Sequence, residues 1–183
     1  MGTVRPLFVV SQASHGRSRC YSRGADGSAR CVADGLCPKN PICATLVDLA
    51  PGGALAPRTA LTVAHFEPHA RHFTPGARIL YRTGWDREFG RSEFFTEFPT
   101  LTLDAARWIA SRRIGLLGMD TPTPSVDARE CHLMLLAPNV EILLLEGLTG
   151  LELLPQHFVL SAFPLKVERG DGSPVRAVAI IEE

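Results

Sequence analysis

The sequence predicts an α/β fold, and three observations carry that prediction. Two short apolar runs, Ile114–Met119 and Val140–Leu145, each stop at a carboxylate, Asp120 and Glu146. Between them a loop with Pro122 and Pro124 leads into a helix-type segment that carries His132. Along the whole chain about six or seven strand-type runs are interspersed with two or three helix-type segments, without an internal repeat or a linker. Strands that end in carboxylates with a histidine between them put polar groups at strand C-termini, where open α/β folds place their chemistry. The competing reading is that Asp120 caps the turn after its strand and Glu146 simply meets solvent.

At 183 residues the chain is read as one domain, 1–183, long enough to bury a sizeable core. Its hydrophobic fraction of 45% and charged fraction of 21% are those of an ordinary globular protein. A net charge of zero offers no polyanion-binding surface, so a nucleic-acid partner is not expected. No apolar run reaches membrane-spanning length, and Leu7–Val10 is too short for a signal-peptide core, so a cytoplasmic location without a membrane partner is expected. Cys20, Cys31, Cys37, Cys43 and Cys131 are odd in number and lack paired C-x-x-C spacing; free thiols are expected rather than bridges or a zinc ribbon.

In order, TVRPLFVVSQ (3–12) reads as a strand whose Pro6 confines it to an edge or a first-residue position. Residues 13–41 are rich in Ser, Arg, Gly and Cys and have neither strand nor helix periodicity; an irregular, poorly ordered segment is expected. Cys43–Leu49 is a second strand and Leu61–Val63 a short one. Ala64–Phe73 reads as a short helix interrupted by Pro68, with His65, His69 and His72 on a solvated face. Ala77–Thr83 is a strand closed by Gly84-Trp85-Asp86. The clearest helix follows, with Thr102 as N-cap, Asp104 at the positive end of the dipole and Gly115 as C-cap region. Phe158–Phe163 and Val175–Ile181 are strands flanking the turn Gly170–Pro174. Trp85 and Trp108 are read as core residues.

Five segments, taken together and in order, resemble the cyclase family of metal-dependent hydrolases, which includes bacterial kynurenine formamidase. Arg78-Ile-Leu-Tyr-Arg-Thr-Gly-Trp-Asp86 is similar to that family's R-T-G-W strand end, and Phe98-Pro-Thr-Leu-Thr-Leu-Asp-Ala-Ala-Arg-Trp-Ile109 to its P-x-L-T-x-E-A-A-x-W helix. Ile114–Pro122 with Ser125-Val-Asp127 resembles G-i-D-T-P-S-v-D; Glu146–Leu151 resembles E-N/G-L-x-N-L; Pro164–Ala179 resembles the C-terminal D-G-S-P-v-R segment. The resemblance implies a swivelling β/β/α fold and a divalent metal, zinc or manganese. It implies hydrolysis of a linear or cyclic amide; the typical reaction takes N-formyl-L-kynurenine and water to kynurenine and formate in tryptophan breakdown. His132 and Glu146 match the family's later metal ligands by position. Asp120, Ser125 and Asp127 would shape the loop beside them. A small-molecule substrate and a homo-oligomer are implied in the same way.

The family's other ligand motif, H-x-G-T-H-x-D-x-P-x-H, belongs between Ser11 and Asp26, where this chain has His15 as its one histidine and no H-x-D. A catalytic zinc takes about three protein ligands. His15, Cys20 or Asp26 is the candidate third donor here, with Arg17, Arg19 and Arg23 beside them opposing a dication. The composition of 13–41 also fits an out-of-frame 5′ reading. Two functional readings follow: an arylformamidase-like hydrolase, or a non-catalytic member that binds a small aromatic ligand or a partner without turnover. No catalytic residue beyond the ligands is assigned.

Overall fold

The computed structural model of the protein describes residues 3–8 along the main chain, 43–165 and 172–181. The irregular segment 13–41, the end of the first expected strand and the start of the Gly170–Pro174 turn (170–171) lie outside these residues. In chain order the elements are β1 (Thr3–Phe8), β2 (Cys43–Asp48), β3 (Ala60–Leu61), α1 (Val63–Phe66), β4 (Arg78–Arg82) and β5 (Thr100–Leu101). They continue as α2 (Leu103–Ser111), β6 (Leu116–Met119), α3 (Ala128–Leu135), β7 (Leu143–Leu145), β8 (His157–Pro164) and β9 (Val175–Ile181).

Seven strands form one sheet in the order β1-β9-β8-β2-β4-β6-β7, and β3 pairs with β5 in a two-stranded ribbon. Strands β2, β4, β6 and β7 run parallel, whereas β8 and β9 join antiparallel beside β2 and β1 closes the far edge. Pro6 lies on that edge strand, the kind of position to which a strand proline is confined. The α/β class is the one the sequence predicts. The parallel strands are apolar on both faces because both faces are covered. Alternate residues Val47, Ile79, Tyr81, Leu117, Met119 and Leu144 pack under the helices with Phe66, Ile109 and Leu135. Their neighbours Leu46, Leu80, Leu116 and Leu145 pack on the other face with Phe158, Leu160 and Ala177 of β8 and β9, so the sheet curls over itself.

The helices depart from expectation at their ends. Pro68 splits the predicted 64–73 helix into α1 and a 3-10 turn, Glu67–His72, because a proline cannot donate into the preceding helical turn. His65 is not only a solvated residue: its Nδ1 accepts the Thr62 N–H at 3.1 Å and caps α1. Helix α2 starts as predicted, with the Thr102 hydroxyl accepting from the Ala105 N–H at 3.2 Å. It ends through Arg113 in the left-handed region (φ 54°) rather than through Gly115. The 140–145 run is strand over Leu143–Leu145 alone, because Glu141 turns the chain with φ 52°. Trp85 is buried, and Trp108 is partly buried under the Arg112 guanidinium, 4.4 Å from the ring centroid. Cys43 is disulfide-bonded, against the expectation of free thiols, and Cys131 is a free thiol in the core. An odd count guarantees one unpaired cysteine and does not exclude a bridge among the others. No helix among the described residues is long and apolar enough to cross a membrane.

The parallel strands end side by side, and a buried carboxylate ties two of them together. Asp120, directly after β6, is fully buried. Its Oδ2 accepts the Thr83 and Gly84 N–H groups at 2.8 and 2.7 Å, and its Oδ1 accepts the Thr83 hydroxyl at 2.7 Å. It therefore holds the turn after β4, not the turn after its own strand as a cap would. Burial pushes its carboxyl up to about 6, against the pull of the Thr83 and Gly84 donors. At pH 7.5 the site requires an acceptor at both oxygens, and Asp120→Asn presents an NH2 to donors. The expected cost is about 2–3 kcal/mol, read as a lower urea midpoint with the slope unchanged; a midpoint within error of the parent would refute this role.

Candidate metal centre

The site forms at the C-terminal edge of the parallel strands. Helix α3 begins beyond the Pro122–Asp127 loop, and that loop is fixed by a buried hydroxyl. Ser125 Oγ donates to the Leu101 carbonyl at 3.1 Å and accepts the Asp127 N–H at 3.2 Å, while Thr100 Oγ1 donates to it at 3.1 Å. Thr100 Oγ1 in turn accepts the Val126 N–H at 2.9 Å. Ser125 thus shapes the entry to α3 as expected, through β5. The Asp127 side chain is exposed and makes no cap bond.

On α3, the His132 ring points at the residue after β7. Its Nε2 stands 3.1 Å from Glu146 Oε1, and its Nδ1 lies 2.6 Å from the Ala128 carbonyl. The two residues singled out in the sequence are therefore brought together. A carbonyl oxygen only accepts, so Nδ1 carries a proton and donates it to Ala128. In the neutral ring Nε2 is then a lone pair facing a carboxylate oxygen, and a pair of acceptors at 3.1 Å is stable only with a positive centre between them. A proton is one such centre: the Glu146 hydrogen bond raises the His132 pKa above its ordinary value, against partial burial. The Glu146 side chain is 5% exposed, so solvent cannot easily relieve the pair.

The donor set fits a divalent ion as well. Imidazole nitrogen and carboxylate oxygen suit zinc or manganese, and a ring N–H held by a main-chain carbonyl is the usual support of a metal-ligating histidine. Among the described residues no third His, Cys, Asp or Glu joins the two. His15, Cys20 and Asp26 lie outside the described residues. Cys131, next to His132 in sequence, faces the core. Burial, then the Glu146 and Asp127 carboxylates, pushes its thiol up to about 12, which makes it a packed thiol rather than a donor.

Two contacts around the site escape sequence reasoning. Arg82 is buried at the end of β4 and donates to Asp48 Oδ1 (2.8 Å), the Ala50 carbonyl (2.6 Å) and the Gly53 carbonyl (2.8 Å), fixing the loop after β2. Asp86 Oδ2 accepts the Gly150 N–H at 2.8 Å, linking the turn after β4 to the loop after Glu146. The signal for the first was the arginine that closes the apolar run Ile79–Tyr81; for the second only the two glycines of Glu146-Gly-Leu-Thr-Gly150 hinted at a tethered loop.

The pH dependence of the metal-free protein follows in sign. The native His132 pKa lies above the unfolded value of 6.5, so its pairing stabilises the fold fully below pH 6.5. That contribution is lost as pH rises through the raised native value. Urea unfolding between pH 5.5 and 8.5 should show this fall in the parent and a flatter profile in His132→Gln; parallel profiles would exclude a shifted His132.

Comparison with known proteins agrees with this architecture. Residues 37–128 match the model of the Cyclase family, described as "Putative cyclase"; the match ends in the first turn of α3, short of His132 and Glu146. Cyclase-like protein 3 of Oryza sativa subsp. japonica is 33% identical over 108 residues, covering 56% of this chain and 40% of that protein. A kynurenine formamidase of Bordetella petrii is 30% identical over 116 residues, 60% of this chain and 53% of that protein. The chain thus spans about half the length of the curated relatives it matches. Among solved structures, isatin hydrolase A from Labrenzia aggregata bound to benzyl benzoate superposes with a TM-score of 0.64 at 26% identity, over 78% of this chain and 62% of that one. The matched segment holds the R-T-G-W strand end, α2 and the G-M-D-T-P turn, and on these findings the chain belongs to the Cyclase family.

Proposed function

We propose that this chain is a metal-dependent hydrolase of a linear or cyclic amide. The observation that carries the reading is the His132–Glu146 pair, two acceptors 3.1 Å apart with the histidine's other nitrogen already committed to a carbonyl. When bound there, a zinc or manganese ion would supply Lewis acidity, making water a nucleophile near neutral pH and polarising the amide carbonyl. The chain's residues do the rest. His132 and Glu146 hold the ion through Nε2 and a carboxylate oxygen. The Ala128 carbonyl keeps the Nδ1–H tautomer, so Nε2 stays free to bind. The Ser125 bonds fix the entry to α3, the helix that carries the imidazole, against β5.

The substrate class comes from relatives, which include proteins named kynurenine formamidase and isatin hydrolase. N-Formyl-L-kynurenine, a linear aryl formamide, is the first substrate to test, and isatin, a cyclic amide, the second. With the former the reaction releases kynurenine and formate and belongs to tryptophan catabolism. A homo-oligomer remains part of this reading. The second reading, a family member that binds a small aromatic ligand without turnover, is favoured by one observation: the described residues supply two donors, one fewer than a catalytic zinc usually has.

Metal analysis and a formamidase assay with added zinc or manganese separate the two. The parent is expected to hold a divalent ion and hydrolyse N-formyl-L-kynurenine, and His132→Ala is expected to lose affinity by at least about 100-fold. Stoichiometric metal retained in His132→Ala would refute the ligand assignment. A folded, metal-free and inactive parent would favour the second reading.

A further inference from the structure

We propose that Asp86 is a positioning residue: its carboxylate fastens the loop that begins at Glu146 and thereby sets where the Glu146 carboxylate stands against His132. The tether is a property of the fold alone; its effect on metal affinity rests on the metal-centre reading above.

Glu146 opens a loop in which Gly147 and Gly150 both take the left-handed conformation, with φ of 68° and 77°. Such a two-glycine loop loses much backbone entropy on ordering and needs anchors from outside. Its backbone has three. Gly147 N–H donates to the Thr121 carbonyl at 2.8 Å and Leu148 N–H to the Met119 carbonyl at 2.9 Å, both main-chain contacts with β6 and its following turn. The third, Gly150 N–H to Asp86 Oδ2 at 2.8 Å, is the one made by a side chain, and it spans 64 residues of sequence.

The acceptor is held still. Asp86 sits on a 3-10 turn, Trp85–Glu88, entered through Gly84. Gly84 takes φ 76°, and a Cβ there would lie 2.5 Å from the Gly53 carbonyl oxygen, so only glycine lets the turn press against the loop after β2. Its N–H is bound by Asp120, and the buried Trp85 donates its indole N–H to the Phe94 carbonyl at 3.0 Å. A fixed turn thus presents one acceptor to the Gly150 end of the loop, beyond the main-chain anchors at Gly147 and Leu148. Releasing it frees the Gly150 end and lets Glu146 sample other directions.

The test uses the full chain as parent, Asp86→Ala, Asp86→Ser (polar but too short to reach Gly150) and Asp86→Asn, whose amide oxygen still accepts the Gly150 N–H. In the metal-free state, amide exchange at Gly147, Leu148 and Gly150 and the nuclear Overhauser contact between the His132 ring and Glu146 are followed. Exchange should accelerate about tenfold or more in the Ala and Ser variants relative to β4 amides, with the contact weakened, and Asn should restore both. Zinc affinity, read by chelator competition, should fall about tenfold in Ala and Ser and return to within about threefold in Asn. Parent-like exchange and contact in Ala and Ser overturn the proposal, as does an Asn variant no better than Ala. If the parent takes up neither zinc nor manganese the metal-centre reading fails, and Asp86 is still decided by the metal-free measurements. If zinc affinity is lost without any change in exchange or contact, Asp86 acts by charge and positioning is refuted.

Discussion

A carboxylate shut away from water must be surrounded by donors or give up its charge, and Asp120 resolves that constraint with the Thr83 hydroxyl and the Thr83 and Gly84 amides. The rest of the strand-end edge depends on this arrangement. Once the turn after β4 is bound to β6, Arg82 is held with its guanidinium under the loop after β2, where Asp48 and two carbonyls receive it. Gly84 then brings that loop and the turn into contact, and Asp86 projects from the turn's far side toward Gly150. Asp120 and Arg82 are buried and Asp48 and Asp86 partly so, and each meets its partner at the end of a neighbouring strand. The contacts run in series from the loop after β2 through the turn after β4 to the loop after β7.

The same edge explains why a histidine on α3 and a glutamate after β7 meet. Parallel neighbours β6 and β7 bring Glu146 level with the C-terminal end of β6, and the chain after β6 runs through Thr121–Asp127 to start α3. Ser125 pins that stretch to β5, so the first turn of α3 starts from a fixed point. His132 falls one turn later, where its Nδ1–H finds the Ala128 carbonyl. The imidazole is oriented by its own helix and met by a carboxylate from another element, an arrangement that leaves little rotational freedom at either partner.

Much of this was legible from residue order, for reasons that are themselves physical. Val140–Leu145 and Ile114–Met119 read as buried strands because parallel strands covered on both faces need no alternation. Thr102 read as an N-cap because a hydroxyl before an apolar helical face has one obvious use. The pairing of His132 with Glu146 was visible through family resemblance and not through spacing, since 14 residues and a change of element lie between them. What stayed hidden was long-range. Asp86 and Gly150 are 64 residues apart, and Asp120 and Thr83 are 37 apart. No local pattern reports a contact that only strand order creates. Glu141 and Arg113, both at positive φ without being glycine, hid the ends of β7 and α2 because sequence rules look for glycine there.

The pair at the centre of the site has one further consequence. With Nδ1–H committed to Ala128, the only ways to quiet the repulsion between Nε2 and Oε1 are a proton or a cation lying between them. The two would compete for the same lone pairs, so metal binding there would be opposed by the protonation that the Glu146 hydrogen bond favours at His132. Burial of Glu146 sharpens the competition: little water reaches the carboxylate, and either occupant replaces solvation the fold has removed. A group that fits a proton this well is not thereby a metal ligand, but it is electrostatically preset for one.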